Sequence, residues 1–411
     1  MTATAVDEVL ELAHRAWFGR LVGWLFRMTG DLQLAEDSVG GAFTEAVSAW
    51  RTSGVPNSPE AWLRVVARNQ AMSALRRNAR TVPVDPQSFT ALEDPAQFQD
   101  ILDDRLALMF VCAHPAIDPR MHAPLMLQAV LGVDAARIST VFLVPPATMG
   151  QRLSRAKTKI RDAAIRFRKP EADEFPGRLA SVLQAVYAAY GLADPTADSA
   201  DERDATLRAE ALRLAELLTD LLPNHAETWG LRALLLHTES RRPGRLVDGR
   251  FVPLALQDTT RWSAEHRRCG DQSLRRAAGL GDMGRFQLEA AISAVHSSRA
   301  DGVATDWNAI AVLYAGLLRI APSVGATIGA VSALIETGAT QEAAALLDSL
   351  PIEVVRNHQP YWVSRTRLAN TLGDVPAALA ASDIAIGLTE DPALRTYLIR
   401  VAHPDRAPGG R

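Results

Sequence analysis

Cysteine, lysine and long apolar runs are all scarce in this 411-residue chain. Two cysteines, Cys112 and Cys269, are too few for a disulfide framework and fit a reducing compartment, so a cytoplasmic location is expected. No apolar run approaches the roughly 18 residues that a membrane span needs, so no membrane partner is expected. Residues 1–11 are polar and acidic, unlike a secretory signal. The nine histidines fall in no His-Glu-x-x-His frame, and no Cys-x-x-Cys is present, which argues against a metal. There is no Gly-x-x-x-x-Gly-Lys-Ser/Thr loop and no Gly-x-Ser-x-Gly elbow, so neither a cofactor nor a catalytic nucleophile is expected. Lysine is the most telling scarcity. Of 44 basic residues only Lys157, Lys159 and Lys169 are lysine, and they lie close together.

A net charge of −3 argues at first against a nucleic-acid partner. The average conceals opposed segments. Residues 1–80 are nearly neutral, 81–104 carry six acids and no base, and 105–170 carry eleven bases against Asp118, Asp134 and Asp162. The remainder is acidic again. A basic block beside an acidic linker marks local electrostatic work, although a solvated helix face gives the same count.

Apolar residues recur at spacings of three and four nearly throughout, so the fold class is all-α. Residues 6–28 read as one amphipathic helix, stopped at Thr29-Gly30. Asp31 is a plausible N-cap for a second helix reaching Trp50. Ser58-Pro59-Glu60 opens a third helix, which ends in the basic string Arg76-Arg77-Asn78-Ala79-Arg80. Residues 81–100 hold three prolines and four acids and read as a linker. Short helices follow near 101–113, 121–131 and 134–142, then a longer one from about 146 to 167. From Phe175 onward helices come in pairs. Gly338 and Gly373 sit 35 residues apart in similar strings, close to the tetratricopeptide period. The domains expected are 1–80, the acidic linker 81–104, 105–170 and 171–411.

Residues 134–167 have the form of a helix-turn-helix. Leu143-Val144-Pro145-Pro146 is the turn, and Met149, Leu153, Ala156 and Ile160 form the inner stripe of the second helix. Thr148, Gln151, Arg152, Arg155, Lys157 and Lys159 project elsewhere. Polar residues at the start of such a helix would reach base edges and basic followers would reach phosphates. The bland alternative is a basic helix that simply packs.

Several strings resemble an alternative sigma factor of the extracytoplasmic-function type. Asp31-x-x-x-Ala35-Glu36-Asp37-x-Val39, with Ala42-Phe43, is similar to the helix that docks on the RNA polymerase clamp. Ala61-Trp62-Leu63, Ala67-Arg68-Asn69 and Leu75-Arg76-Arg77 are similar to the helix that reads the −10 element. Residues 118–161 resemble the −35 module. Val141–Leu153, Gln257-Asp258-x-x-Arg261-Trp262, residues 286–296 and Thr305-Asp306-Trp307 resemble a subgroup that carries a tetratricopeptide-like helical extension.

The resemblance implies core RNA polymerase and promoter DNA as partners, and no catalytic residue in this chain. Asp31, Glu36, Asp37, Val39, Ala42 and Phe43 would serve the clamp. Trp50, Arg51 and Asn57 would lie where a promoter base is flipped and held. Trp62, Arg64, Arg68, Asn69, Arg76 and Arg77 would line the non-template strand. The acidic linker would thread the polymerase's RNA path.

The sequence also departs from that family. Gly40-Gly41 stands where Gln-Glu is usual, Ser73 replaces an aspartate, and Arg137-Ile138-Ser139 replaces Glu-Ile-Ala. These departures bear on docking and leave a second reading open. In it a sigma-derived scaffold has lost polymerase function and uses its helical extension to bind or transform a small molecule. A small molecule or protein is the partner expected of the extension. Gln257, Asp258, Arg261, Trp262, Gln287, His296, Asp306 and Trp307 are its candidate pocket residues; a mutually bonded structural role is the plainer reading.

Overall fold

The computed structural model describes residues 3–79, 101–142, 144–165, 167, 175–192 and 202–403. Among them the only strands are two residues long, so the all-α expectation holds. Most of the acidic linker, residues 81–100, lies outside the described residues. The chain divides into two compact units, one of residues 1–193 and 206–211, the other of residues 194–205 and 212–411.

The first unit begins with α1 (Ala3–Thr29), α2 (Leu32–Ser53) and α3 (Pro59–Ala79). Gly30 ends α1 in the left-handed region, at φ +67°. Asp31 then caps α2, its carboxylate accepting from Leu34 N at 3.0 Å. The three helices bury Val22, Leu25, Phe26, Leu32, Val39, Ala46, Trp50 and Leu63 among themselves.

Next come α4 (Ile101–Cys112), α5 (Pro119–Leu131), α6 (Ala135–Val141), α7 (Pro146–Asp162) and α8 (Phe175–Leu192). Asp118 caps α5 and Gly132 ends it at φ +68°. The long helix expected to reach 167 stops at Asp162, and Ala164 turns the chain at φ +48°. The sequence places a boundary near 170, but α8 clusters with the first unit. His122 of α5 lies 3.0 Å from Ser181 Oγ of α8, and Arg178 donates to Phe110 O at 3.1 Å.

These later helices pack back onto the first three. Gly19 of α1 rests on α5 so closely that a Cβ there would stand 1.9 Å from Val130 O. His14 and Phe18 lie over Gly132, Arg105 donates to Ala16 O at 2.6 Å, and Phe26 meets Phe167 edge-on at 6.0 Å.

The second unit is a run of packed helices. Of α9 (Glu202–Leu221) the stretch from Leu212 onward belongs to it, followed by α10 (Ala226–Arg241), then the hairpin β1 (Leu246–Val247) and β2 (Arg250–Phe251). Asp248 and Gly249 turn that hairpin, both at positive φ, as a two-residue loop between twisted strands requires. Then follow α11 (Ala264–Gly279), α12 (Arg285–Ser297), α13 (Trp307–Ile320), α14 (Val324–Glu336), α15 (Thr340–Asp348), α16 (Ile352–Val355), α17 (Gln359–Leu372), α18 (Val375–Leu388) and α19 (Pro392–Ala402).

α10 is the buried axis of the unit's first half. At Gly230 it approaches α12 so that a Cβ would lie 2.6 Å from Gln287 N. Glu227 accepts from Phe286 N at 2.9 Å and Gln287 N at 3.0 Å, satisfying donors that the start of α12 leaves open. Downstream, Leu288, Ile292, Ile310 and Leu317 form one apolar cluster, and Val331, Leu347, Tyr361 and Leu368 another. The turns singled out from the sequence join α14 to α15 and α17 to α18, with Gly338 and Gly373 at φ +81° and +76°.

Candidate nucleic-acid interface

In α7, Met149, Leu153, Ala156 and Ile160 are buried, so the helix is held by the stripe its period announces. At 3.6 residues per turn, Thr148, Gln151, Arg152, Arg155 and Lys159 fall within about 100° of arc on the other side. Gln151, Arg152, Arg155 and Lys159 are exposed, and Thr148 is half-buried at the helix start. Pro146 occupies the first turn, where no backbone donor is needed. The last turn carries Lys159 and Arg161, suited to its negative end.

Lys157 departs from this pattern. It lies off the polar arc and is 5% exposed, and its ammonium pairs with Glu36 of α2. The phosphate contact expected of Lys157 is therefore absent from this arrangement. Glu36 is corrected likewise: it is 9% exposed and faces α7 rather than solvent. Burial raises its pKa against the opposing pull of the Lys157 charge, and its Oε1 has no hydrogen-bond partner. Arg161 adds a looser approach to Asp31, at 4.0 Å.

The other docking candidates divide between core and surface. Val39 and Ala42 are fully buried, and Phe43 is packed edge-on against His14, centroids 4.9 Å apart. These three shape α2 from within. Asp37 is exposed and accepts from Gln33 at 2.7 Å. Gly40 faces open space, whereas a Cβ at Gly41 would collide with the amide end of Gln70, which bonds Glu45 at 3.3 Å. An open groove of about 600 Å³ between α2 and α3 is lined by Asp37, Glu45, Asn69, Gln70, Ser73 and Arg77.

Trp50 is 1% exposed and meets Trp62 edge-on at 5.7 Å. The expectation that Trp50 reaches a base is corrected, because its ring is buried in the core. The following loop does expose Arg51, Asn57 and Ser58, with Arg51 tied to Asp7 at 2.7 Å. On α3, Arg68, Asn69, Arg76 and Arg77 are exposed, while Arg64 lies over the Trp24 ring at 5.0 Å. Trp62 is half-buried.

The pocket candidates of the second unit are engaged in the fold. Gln257 accepts from Trp262 Nε1 and donates to Val252 O, both at 3.1 Å. Arg299 stacks on Trp262 and donates to Gln257 O. Asp258 is exposed and turns the chain through two bonds from Thr260, which lower its pKa. Arg261 is exposed beside it. Gln287 is buried, its amide placed between Asp282 O and Ala278 N. His296 packs edge-on against Trp307 at 5.3 Å. Burial first, then Arg241 and Arg299, holds its pKa down to about 4. Asp306 caps α13 through Ala309 N at 2.9 Å. Among the candidates only Gln257 with Trp262 and His296 with Trp307 meet each other, and no group of three metal-binding side chains occurs among the described residues.

Sequence reasoning missed the long-range partners. Glu227 capping α12, Arg241 donating to Ser293 and Ser297, and the Lys157–Glu36 pair all join residues far apart in the chain. Only Lys157 left a signal, its position off the polar arc of α7.

Comparison with known proteins completes this picture. Residues 14–81 match sigma-70 region 2, which takes in α1 from His14 onward and all of α2 and α3. Residues 178–278 match DUF6596, a family of unknown function. An uncharacterized protein of Rhizobium meliloti (strain 1021) is 32% identical over 390 residues, spanning 92% of this chain and 91% of its own length. The ECF RNA polymerase sigma factor SigG of Mycobacterium tuberculosis is 28% identical over 209 residues, spanning 44% of this chain and 56% of its own. No solved structure matches the chain. None of the described helices is long and apolar enough to cross a membrane.

Proposed function

The chain belongs to the extracytoplasmic-function type of RNA polymerase sigma factors, as a divergent member, and from that premise we propose that it directs core polymerase to particular promoters. The observation that carries the proposal is the polar arc of α7. A buried apolar stripe fixes the helix, and Gln151, Arg152, Arg155 and Lys159 stand in solvent without an ion pair among the described residues. That is the arrangement a major-groove helix needs, with base-reading residues first and phosphate-neutralising ones after.

In this reading α7 serves the −35 element. Arg68, Asn69, Arg76 and Arg77 of α3 follow the opened strand, and the loop from Arg51 to Ser58 holds the flipped base over the Trp50–Trp62 floor. The groove between α2 and α3, with Asp37 at its edge, meets the clamp. The acidic segment 81–104 occupies the RNA path, and the second unit, read as a tetratricopeptide-like extension, regulates the other parts. The location is cytoplasmic, as for any factor that works on polymerase. The chain's own residues position nucleic acid and polymerase; the chemistry belongs to the polymerase.

Gel filtration of the full chain with core polymerase, followed by gel shift on promoter fragments, tests the proposal. A stoichiometric complex that shifts particular promoters is expected. No complex at micromolar protein would overturn it.

A further inference from the structure

The match to the family of unknown function opens at residue 178, inside α8. Yet α8 folds with the first unit, against α4, α5 and α6. We propose that α8 is part of the DNA reader, and that Arg178 and Ser181 are positioning residues that brace α5 and α6 and so set the aim of α7 on promoter bases. The proposal rests on the sigma-factor reading and adds to it residues that touch no DNA.

α8 is a core helix rather than a connector. Leu179, Val182, Leu183, Ala185, Val186 and Ala188 are all buried. At 100° per residue they span about 220° of the helix circumference. A helix that only lies on a surface buries an apolar stripe of roughly 100°.

The helix-turn-helix needs such a brace. α6 has seven residues. That is too few to hold the angle of α7 alone, since isolated helices shorter than about 12 residues are marginal in water. α6 lies against α5, α7 and α8, and α7 lies against α5 as well. The polar arc of α7 stays open to solvent. Within this module the pose of α6 and α7 is therefore taken from α5 and α8.

Polar contacts pin α8 at two points, where apolar burial alone would allow a slide. Arg178 donates to Phe110 O at 3.1 Å, in the last turn of α4, where helix carbonyls lack partners along the chain. His122 lies 3.0 Å from Ile117 O through Nε2 and 3.0 Å from Ser181 Oγ through Nδ1. A carbonyl oxygen only accepts, so Nε2 donates, and Nδ1 accepts from the Ser181 hydroxyl. The path from Ser181 through His122 to Ile117 ties α8 both to α5 and to the turn before it. His122 is 6% exposed, so water is kept from these bonds. Arg178 and Ser181 are themselves half-buried and lie outside the polar arc of α7. They act on promoter bases only through α5 and α6.

The test compares two DNAs, each bound by the full chain in complex with core polymerase. One is a duplex enriched from a random-sequence pool by the native complex, the other a scrambled duplex of the same length. Arg178→Met with Ser181→Ala removes both pins and keeps the apolar face. The enriched duplex is expected to bind about tenfold more weakly and the scrambled one as before, because base contacts depend on aim and phosphate contacts on charge. Arg178→Lys with Ser181→Thr keeps both donors and is expected to restore most of the preference. Amides of α6 and α7 are expected to exchange faster in the first double variant than in the native chain, with helicity by circular dichroism unchanged.

A first variant that keeps the native preference for the enriched duplex would overturn the proposal. Equal losses on both duplexes, as partial unfolding gives, would overturn it too, and so would a second variant no better than the first. If the native complex enriches no duplex, the sigma-factor reading fails. Exchange in α6 and α7 then decides the brace, and equal rates in the native chain and the first variant would overturn it.

Discussion

Gly19→Ala gives opposite predictions from local propensity and from packing. Alanine is favoured over glycine inside a helix by about 1 kcal/mol, so propensity alone predicts stabilisation. The added Cβ would stand 1.9 Å from Val130 O and 2.8 Å from Val130 C. Both are backbone atoms of α5, so no side chain can swing away; one helix must move. Overpacking of this kind costs about 1–3 kcal/mol, enough to cancel or reverse the propensity gain. Gly40→Ala is the control, because a Cβ there meets nothing within 4 Å and should gain the full increment of about 1 kcal/mol. The two variants should then differ by about 1–3 kcal/mol. For a unit near 200 residues that is about 2–4 °C in melting temperature per kcal/mol, resolvable by calorimetry. Gly19→Ala melting as high as Gly40→Ala would refute the close approach of α1 to α5.

Three further outcomes follow from the same structure. Arg152→Ala with Arg155→Ala should flatten the salt dependence of promoter binding by about 1.8 in log K against log salt, as for two fewer neutralised phosphates; an unchanged slope would exclude contact there. Burial drives the Cys112 thiol pKa far above its usual range, whereas Cys269 is partly exposed. A thiol reagent should therefore titrate Cys269 in the native chain and Cys112 only after denaturant. His237 and His296 are each held near pKa 4, chiefly by burial, below the usual 6.5. The unfolded chain then binds protons that the folded one refuses, so their contribution is complete above about pH 6.5. It falls away as pH drops toward 4, and urea midpoints at pH 7, 5.5 and 4.5 should show that decline.

The helices were readable because each carried its own punctuation. Thr29-Gly30, Asp31, Pro59, Asp118 and Pro146 start or stop helices where their chemistry requires. The inner stripe of α7 was readable for the same reason, since its period lies within one helix. Trp50 was not, because an aromatic ring beside a polar loop suits a base or a core equally. Only its packing against Trp62 in the closed three-helix bundle decides. The Lys157–Glu36 pair joins residues 121 positions apart, and charge counts by segment cannot pair residues across segments. Two of the three scarce lysines lie on α7, but one of these, Lys157, is used inside the protein rather than on its surface. Similarly, Gln257 and Trp262 looked like lining residues until each was found to be the other's partner.

Run-off transcription with purified core polymerase and the full chain tests the central claim most directly. The account predicts transcripts from a subset of promoter templates that depend on this chain and weaken when Arg152 and Arg155 are replaced by alanine. Core polymerase that binds the chain yet initiates from no template in its presence, or initiates equally without it, would contradict the account.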